Sequence, residues 1–541
     1  MRKNALALSI AAMIGGLGFV GAATADVIVG SAAPSATTLG LTDATQLQVN
    51  NGGLGHALIT PYFTAQNQNG TIISITNTDP VNGKAVKVRF RGASNSDDIL
   101  DFTVLMSAND VWNATITAGV GGVAQIVTFD RTCTVPQLNP GAAQAFVTNR
   151  LTSKGANDIP NNTREGYIEM FNMADIQPTS ALYAAIKHSN GVPLCTATTL
   201  NAAVVTTNFT TEAGAAAQGF ATPTTGLFGS WVIVNVPQTT TYGGEMIAIR
   251  ATVGLNGVDG RGNFVLFPQS ASTYIGAISN VTADPLYRSA AFPNKNSTNV
   301  VGAPTGAPAI SANFFDLPDM STPYVGVVGN DQAPLNQASV LTAALAVKTI
   351  SNSYANDPII TAKTDWVFSM PTRRYSVAMD YSPATSRRLY SSVPSGGGAN
   401  GVGVATPQYF SDDNTALNQT NSQQICVGAT SQVFYDREEG TKTSGAVFSP
   451  GNATVTQFCG ETSVLSFNSA TDASVLGGNI TRGDTGVSAF TNGWSQVNVL
   501  NATTALGLPI VGYSFIKATN PNATAGVSGT YGVTINHRFT R

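Results

Sequence analysis

The chain has 541 residues, of which only 11% are charged, and 27 basic side chains against 30 acidic ones leave a formal net charge of -3. That balance lacks the cationic excess that nucleic-acid binding needs, which excludes nucleic acid as a partner. At roughly 100–200 residues per domain, the length predicts two or more domains with a sizeable core.

Arg2 and Lys3 precede an apolar run from Ala5 to Val20, and Ala23-Thr24-Ala25 follows as a small-residue cleavage site. This is the pattern of a secretory signal peptide over residues 1–25, with the cut between Ala25 and Asp26. No later apolar run reaches the length of a transmembrane helix, so none is expected in the mature chain. Cys133, Cys195, Cys426 and Cys459 all lie in the exported part, where an oxidising compartment permits pairing. Three connectivities are possible. Sequence neighbours usually share a domain, which favours Cys133 with Cys195 and Cys426 with Cys459. Each bridge would contribute about 3–4 kcal/mol in the chain-entropy model. The spacings exclude CxxC redox chemistry and zinc ribbons.

Residues 26–55, rich in Ala, Thr, Gly and Asn, read as a flexible leader. From 56 to 290 the chain predicts an N-terminal β-sandwich domain. Thr71–Asn77 reads as a strand, and Asp79 to Gly83 supplies a turn. In Val86–Arg91 the period of two sends Val86, Val88 and Phe90 to a core and Lys87, Arg89 and Arg91 to solvent. Leu100, Phe102, Val104 and Met106 repeat the pattern, and successive short strands with tight turns imply antiparallel sheets. Gly166–Phe171, Ser230–Val236 and Glu245–Arg250 are further strands, the second so continuously apolar that it is expected to be buried on both faces.

Residues 291–355 read as a Pro/Gly-rich connection with a helix near 336–354, from the spacing of Val340, Ala344, Val347 and Tyr354. A C-terminal β domain spans 356–541. It includes Thr364–Met370, Ser376–Tyr381, Ser463–Phe467 and a last strand with Tyr531, Val533, Ile535, His537 and Phe539 on one face; Gly396–Gly403 is a flexible loop. The fold class is therefore mainly β, with antiparallel sandwich domains of immunoglobulin-like or jelly-roll type and one or a few short helices.

Chemistry is sparse. His56, His188 and His537 have no partner at metal-ligand spacing, and neither HExxH nor G-x-S-x-G occurs. Glu165 and Glu169 share a strand face about 13 Å apart, too far for a glycosidase pair within that strand. No catalytic residue, bound metal or cofactor is expected. Calcium has two candidate ligand groups, Asn95, Asp97, Asp98 and Asp101 or Asp412, Asp413 and Asn414, although short Asn/Asp runs serve first as turn chemistry. The stripe Lys87, Arg89 and Arg91 could meet glycolipid phosphates, with a solvated strand face as the simpler reading.

Several segments carry a family likeness: Gly55–Phe63, Val81–Arg91, Thr163–Glu169 with Asn172–Ile176, Thr364–Phe368 with Pro371–Arg374, Cys459-Gly460-Glu461, Gly507–Gly512 and His537–Arg541. Together they resemble the surface-layer-like cell surface proteins of Gram-negative bacteria, the group that includes nanopod sheath proteins, over nearly the whole mature chain. The resemblance brings no catalytic residues. It implies an exported structural protein at the outer-membrane exterior that associates with itself in a homo-oligomeric lattice, with outer-membrane glycolipid as a candidate anchor. The rival reading is an outer-membrane porin, drawn from the C-terminal alternation ending at Phe539. Two residues follow that phenylalanine, and disulfide-bearing loops and a central helix fit poorly with a regular series of barrel strands. A glycan-binding surface adhesin is the third reading.

Overall fold

The structure is a computed structural model that describes residues 27–148, 151, 159–203, 210–266, 294–295, 300–301, 310–311, 318–326, 334–380, 387–391, 409–410, 414–418, 424–443, 456–467, 474–485 and 490–541. The signal segment with its Ala25–Asp26 junction, the Gly396–Gly403 loop, Asp412 and Asp413 lie outside the described residues.

The N-terminal half runs through fourteen strands: β1 (Gln46–Asn50), β2 (Ala57–Thr64), β3 (Asn69–Asn77), β4 (Gly83–Gly92), β5 (Asp98–Met106), β6 (Val111–Ala118), β7 (Ala124–Val127), β8 (Cys133–Val135), β9 (Ala143–Ala145), β10 (Glu165–Ile176), β11 (Phe220–Ala221), β12 (Leu227–Asn235), β13 (Thr240–Glu245) and β14 (Ile247–Thr252). One sheet has the order β1-β14-β2-β10-β4-β5-β8 with β11 on β10, and the other the order β13-β12-β3-β6-β7-β9. Their facing sides close over a common core. Leu58, Val88, Phe90, Phe102 and Met170 come from the first sheet, and Ile73, Trp112, Ile116, Trp231 and Ile233 from the second. These are the alternate positions that a pleated strand turns to one side. The fold is mainly β and antiparallel, as expected from the sequence.

The C-terminal half adds two five-stranded sheets. The outer one has the order Thr441–Thr443, Ser431–Tyr435, Asn492–Asn498, Thr349–Ala355, Arg538–Thr540. The inner one has the order Arg482–Asp484, Thr462–Ser466, Lys363–Ser369, Val511–Thr524, Val527–Asn536. In Lys363–Ser369, Trp366 and Phe368 join Ile350, Tyr354, Phe434 and Val497 in a second core between these sheets. The residue between them, Val367, points the other way and joins the N-terminal core with Val464, Tyr513 and Phe515. Trp231 lies 5.2 Å from Tyr513 and 5.7 Å from Phe515, ring centroid to ring centroid. The inner sheet is thus apolar on both faces and serves as a wall shared by the two halves.

Residues of the expected N-terminal β-sandwich domain (56–290) and of the expected C-terminal β domain (356–541) thus meet in one hydrophobic core. Four smaller expectations also change. The leader is integrated, since Ile28 bridges Phe264, Leu39 is buried and β1 pairs with β14. The helix is Pro334–Leu345, while Val347 and Tyr354 lie in strands and point into the second core, so their spacing reflected burial rather than a helical face. The Ser230–Val236 segment is buried on one face only; Trp231 and Ile233 are inside, Val232 and Val234 are half-buried, and Val236 is exposed. The last predicted strand divides at His537, with Val527–Asn536 on the inner sheet and Arg538–Thr540 on the outer one.

Candidate functional site

The structure joins Cys133 to Cys195 and Cys426 to Cys459. The first bridge ties β8 to the chain beyond the helix Ala181–Ile186, and the second links directly opposed residues of two paired strands. With all four thiols so engaged, no cysteine remains for nucleophilic chemistry.

The basic stripe of β4 is where expectation and structure part most sharply. Lys87, Arg89 and Arg91 are on the side of β4 opposite Phe90, as the period of two requires, but all three are buried. They are buried because the far side of this sheet is itself covered, in part by residues 318–326 and the helix Pro334–Leu345. Carboxylates on the next strands offset the cost of burying the cations. Lys87 bonds Asp101, and Arg89 reaches Asp98 at 2.5 Å and Asp101 at 3.8 Å. Desolvation holds the Lys87 ammonium below its ordinary pKa, opposed by the neighbouring Asp101 charge. Farther along β4, Lys84 meets Asp175 at 3.0 Å and donates to Thr224.

Arg91 opens a larger network. Its Nε donates to Glu169 Oε2 at 3.3 Å, and Glu169 also accepts from Tyr167 at 3.2 Å and from Arg374 Nη2 at 2.9 Å. Arg374 lies 3.7 Å from Asp319, and Arg373 Nε reaches Glu461 Oε2 at 2.6 Å. Three guanidinium groups therefore face three carboxylates, all buried, and connect β4 and β10 to the turn after Lys363–Ser369 and to Glu461. Each of these carboxylates lies within ion-pair distance of an arginine. Chemically the cluster is a lock between the two halves.

Glu165 belongs to a different network from Glu169. It accepts from Asn479 N at 2.7 Å and from Tyr62 at 3.5 Å, and desolvation raises its pKa to about 7. Asp365 accepts from Ser466 Oγ at 2.7 Å, from Leu476 N at 3.0 Å and from Ser474. Burial likewise raises its pKa. Together these carboxylates pin the 474–480 segment across the joint. The two glutamates four positions apart are thus held by different partners.

The first calcium candidate dissolves into this ionic pattern, because Asp98 and Asp101 are used by Arg89 and Lys87. Among the described residues, no group of three or more His, Cys, Asp or Glu is placed to hold a metal ion; of the second candidate, only Asn414 is described. His56 is buried between Gly260 O at 2.9 Å and Ala251 N at 3.0 Å, and desolvation lowers its pKa to about 4. His537 stacks on Phe368 at 4.5 Å, and burial lowers its pKa to about 3. His188 is partly exposed, 3.7 Å from Asp110.

Among the described residues every sheet runs between two end strands, and none closes on itself. Val511–Thr524 and Val527–Asn536 form a ribbon in which Asn520 to Ser528 are all exposed. Val527, Tyr531 and Val533 add large apolar surface to its outer strand. At Gly532 a Cβ would lie 2.5 Å from Thr241 O, so only glycine lets this strand pass so close to β13. The sequence pattern alone did not reveal the ribbon; Asn520-Pro521 and Gly526 were the available turn signals. No protein-family model, curated protein or solved structure matches the chain.

Proposed function

We propose that the protein is a structural cell-surface component that assembles with copies of itself into a layer or vesicle sheath on the outer membrane. The observation that carries this reading is the projecting C-terminal ribbon. An end strand with an exposed tip and outward Val and Tyr side chains is a template for strand addition by another chain. The interior supports the same view, since the buried carboxylates of the central ion network are neutralised by arginines and the two halves are locked by a shared core. That is the construction of a rigid building block. The porin alternative requires a closed cylinder with lipid-facing strands, whereas the four large sheets here are open among the described residues.

The test is assembly itself. Purified mature protein, dialysed with and without divalent cations, should form sheets or tubes visible by negative-stain electron microscopy. Replacing residues 520–528 with a short Gly-containing turn should leave the circular-dichroism spectrum and melting temperature nearly unchanged and prevent assembly. A wild-type protein that stays monomeric under all these conditions, or inserts into planar bilayers as a conducting pore, would refute the reading.

A further inference from the structure

We propose that Lys84 and Asn172 join in an intramolecular isopeptide cross-link between β4 and β10, with Asp175 relaying the protons. Strand pairing sets Val86 opposite Asn172 and Lys84 opposite Asp175, so two steps along β4 match three along β10. The extra residue is a bulge between Asn172 and Ala174. Residues three apart in a regular strand point to opposite sides, and the bulge instead brings Asn172 and Asp175 to the side that Lys84 occupies.

The three side chains are buried and linked to one another. Lys84 and Asn172 are 0% exposed and Asp175 is 1% exposed. Lys84 Nζ donates to Asp175 Oδ1 at 3.0 Å and to Thr224 O at 3.2 Å. Asn172 Nδ2 donates to the same two oxygens, at 2.8 Å and 3.0 Å. One pair of acceptors therefore holds the amine and the amide side by side. Thr224 completes the setting: its Oγ1 accepts from Lys84 at 3.1 Å and donates to Asp175 Oδ2 at 2.5 Å, and its N–H donates to Asp175 Oδ1 at 3.3 Å. Asp79, the other carboxylate near Lys84, is 4.0 Å away. On the amide itself, Asn172 Oδ1 is buried and has no hydrogen-bond partner. Buried carbonyls without a partner are rare and mark sites of strain or chemistry.

An amine, an amide and a carboxylate so placed are the parts of an acyl transfer. Asp175 Oδ1 takes a proton from the Lys84 ammonium, and the freed Nζ lone pair attacks Asn172 Cγ. As the Nζ–Cγ bond forms, a second proton leaves Nζ by the same carboxylate. Asp175 hands both protons on to Nδ2, the Cγ–Nδ2 bond breaks, and the nitrogen departs as ammonium. The carboxylate is regenerated, and no oxidant or further reactant is consumed. Burial keeps water from competing, and the shared acceptors give the pair the advantage of an intramolecular reaction. The product is a covalent tie between two adjacent strands of the sheet that carries the ion network. It stands independently of assembly into a coat.

Intact-mass spectrometry of the reduced and denatured mature protein reads the bond directly. Wild type should be lighter than its sequence by the mass of one ammonia. Trypsin should fail to cut after Lys84, and fragmentation should show a branched species in which the peptide ending at Lys87 is joined to the 165–187 peptide. Lys84→Met and Asn172→Ala should each show the full mass of their own sequences. Asp175→Ala should do the same, because it keeps both reacting side chains and removes only the relay. A wild-type mass equal to that of the sequence would overturn the proposal. So would the loss of one water, which places the bond between Lys84 and Asp175, or a link that persists in Asp175→Ala. The wild-type mass decides the matter whether or not the variants fold. A linked protein that stays monomeric would sink the coat and leave the cross-link standing, and an assembling protein of unmodified mass would do the reverse.

Discussion

Two strand faces in this protein invert the usual expectation about charge. The face of β4 that carries Lys87, Arg89 and Arg91 is buried, while on the outward face of the outer C-terminal sheet Ser353, Trp494 and Arg538 are exposed. Both faces obey the same period of two. The difference lies in what covers them: further chain is laid over the first, supplying Asp319, Arg373 and Arg374 to complete its ion network, while the second faces outward. Alternation therefore tells which residues share a side and is silent about whether that side meets water.

The sharpest way to break the contrast is to remove a carboxylate from the buried face. Glu169→Gln leaves Arg91 and Arg374 without their common anion, and losing one partner of a buried ion pair costs about 3–5 kcal/mol. Urea unfolding should show that loss as a lower midpoint, and the Arg91→Met, Glu169→Leu double variant should recover part of it. A loss below about 1 kcal/mol for Glu169→Gln would mean that the network is effectively solvated.

pH sharpens the comparison further because the buried groups pull in opposite directions. Glu165, raised to about 7 from 4.5, contributes stability that is present below pH 4.5 and lost as pH rises toward 7. His56 and His537, lowered to about 4 and about 3 from 6.5, contribute stability that is present above pH 6.5 and lost as pH falls through those values. Glu165→Gln should accordingly raise the denaturation midpoint at pH 8 relative to pH 5 when each is referred to wild type. An equal change at both pH values would show that Glu165 titrates normally. The smallest effect belongs to the open face: Trp494→Ala removes only a cross-strand aromatic pair and should cost at most about 1 kcal/mol, read from the same urea curves.

Much of the fold was legible in the sequence because its signals are local. The turn from Asp79 to Gly83 and the alternation of Val86, Val88 and Phe90 specify a hairpin strand whatever surrounds it, and β3, β4 and β5 lie where that pattern places them. The helix was half legible: Leu341 and Leu345 belong to it, but Val347 and Tyr354 kept a helix-like spacing only because both are buried in the second core. The shared wall was not legible. Trp366-Val367-Phe368 announces a strand buried on both faces, yet nothing in that run says that one face meets Trp231 and the other Tyr354. Nor could the row of Tyr435, Trp494 and Ser353 be read, since these residues become neighbours only through pairing between strands about 60 to 140 residues apart.

Backbone stereochemistry and the polarity of nearest neighbours were enough for the sequence by itself to determine the mainly β class, the strand faces and the turns, because each depends on a few adjacent residues. Only the tertiary structure decided which faces are covered, that the two halves share a core, and that the basic stripe is an internal lock rather than an outer surface. Those outcomes depend on contacts between residues far apart along the chain, such as Arg91 with Glu169 and Glu169 with Arg374. A buried charge is tolerated only where folding delivers its counter-charge, and a one-dimensional pattern does not encode that delivery.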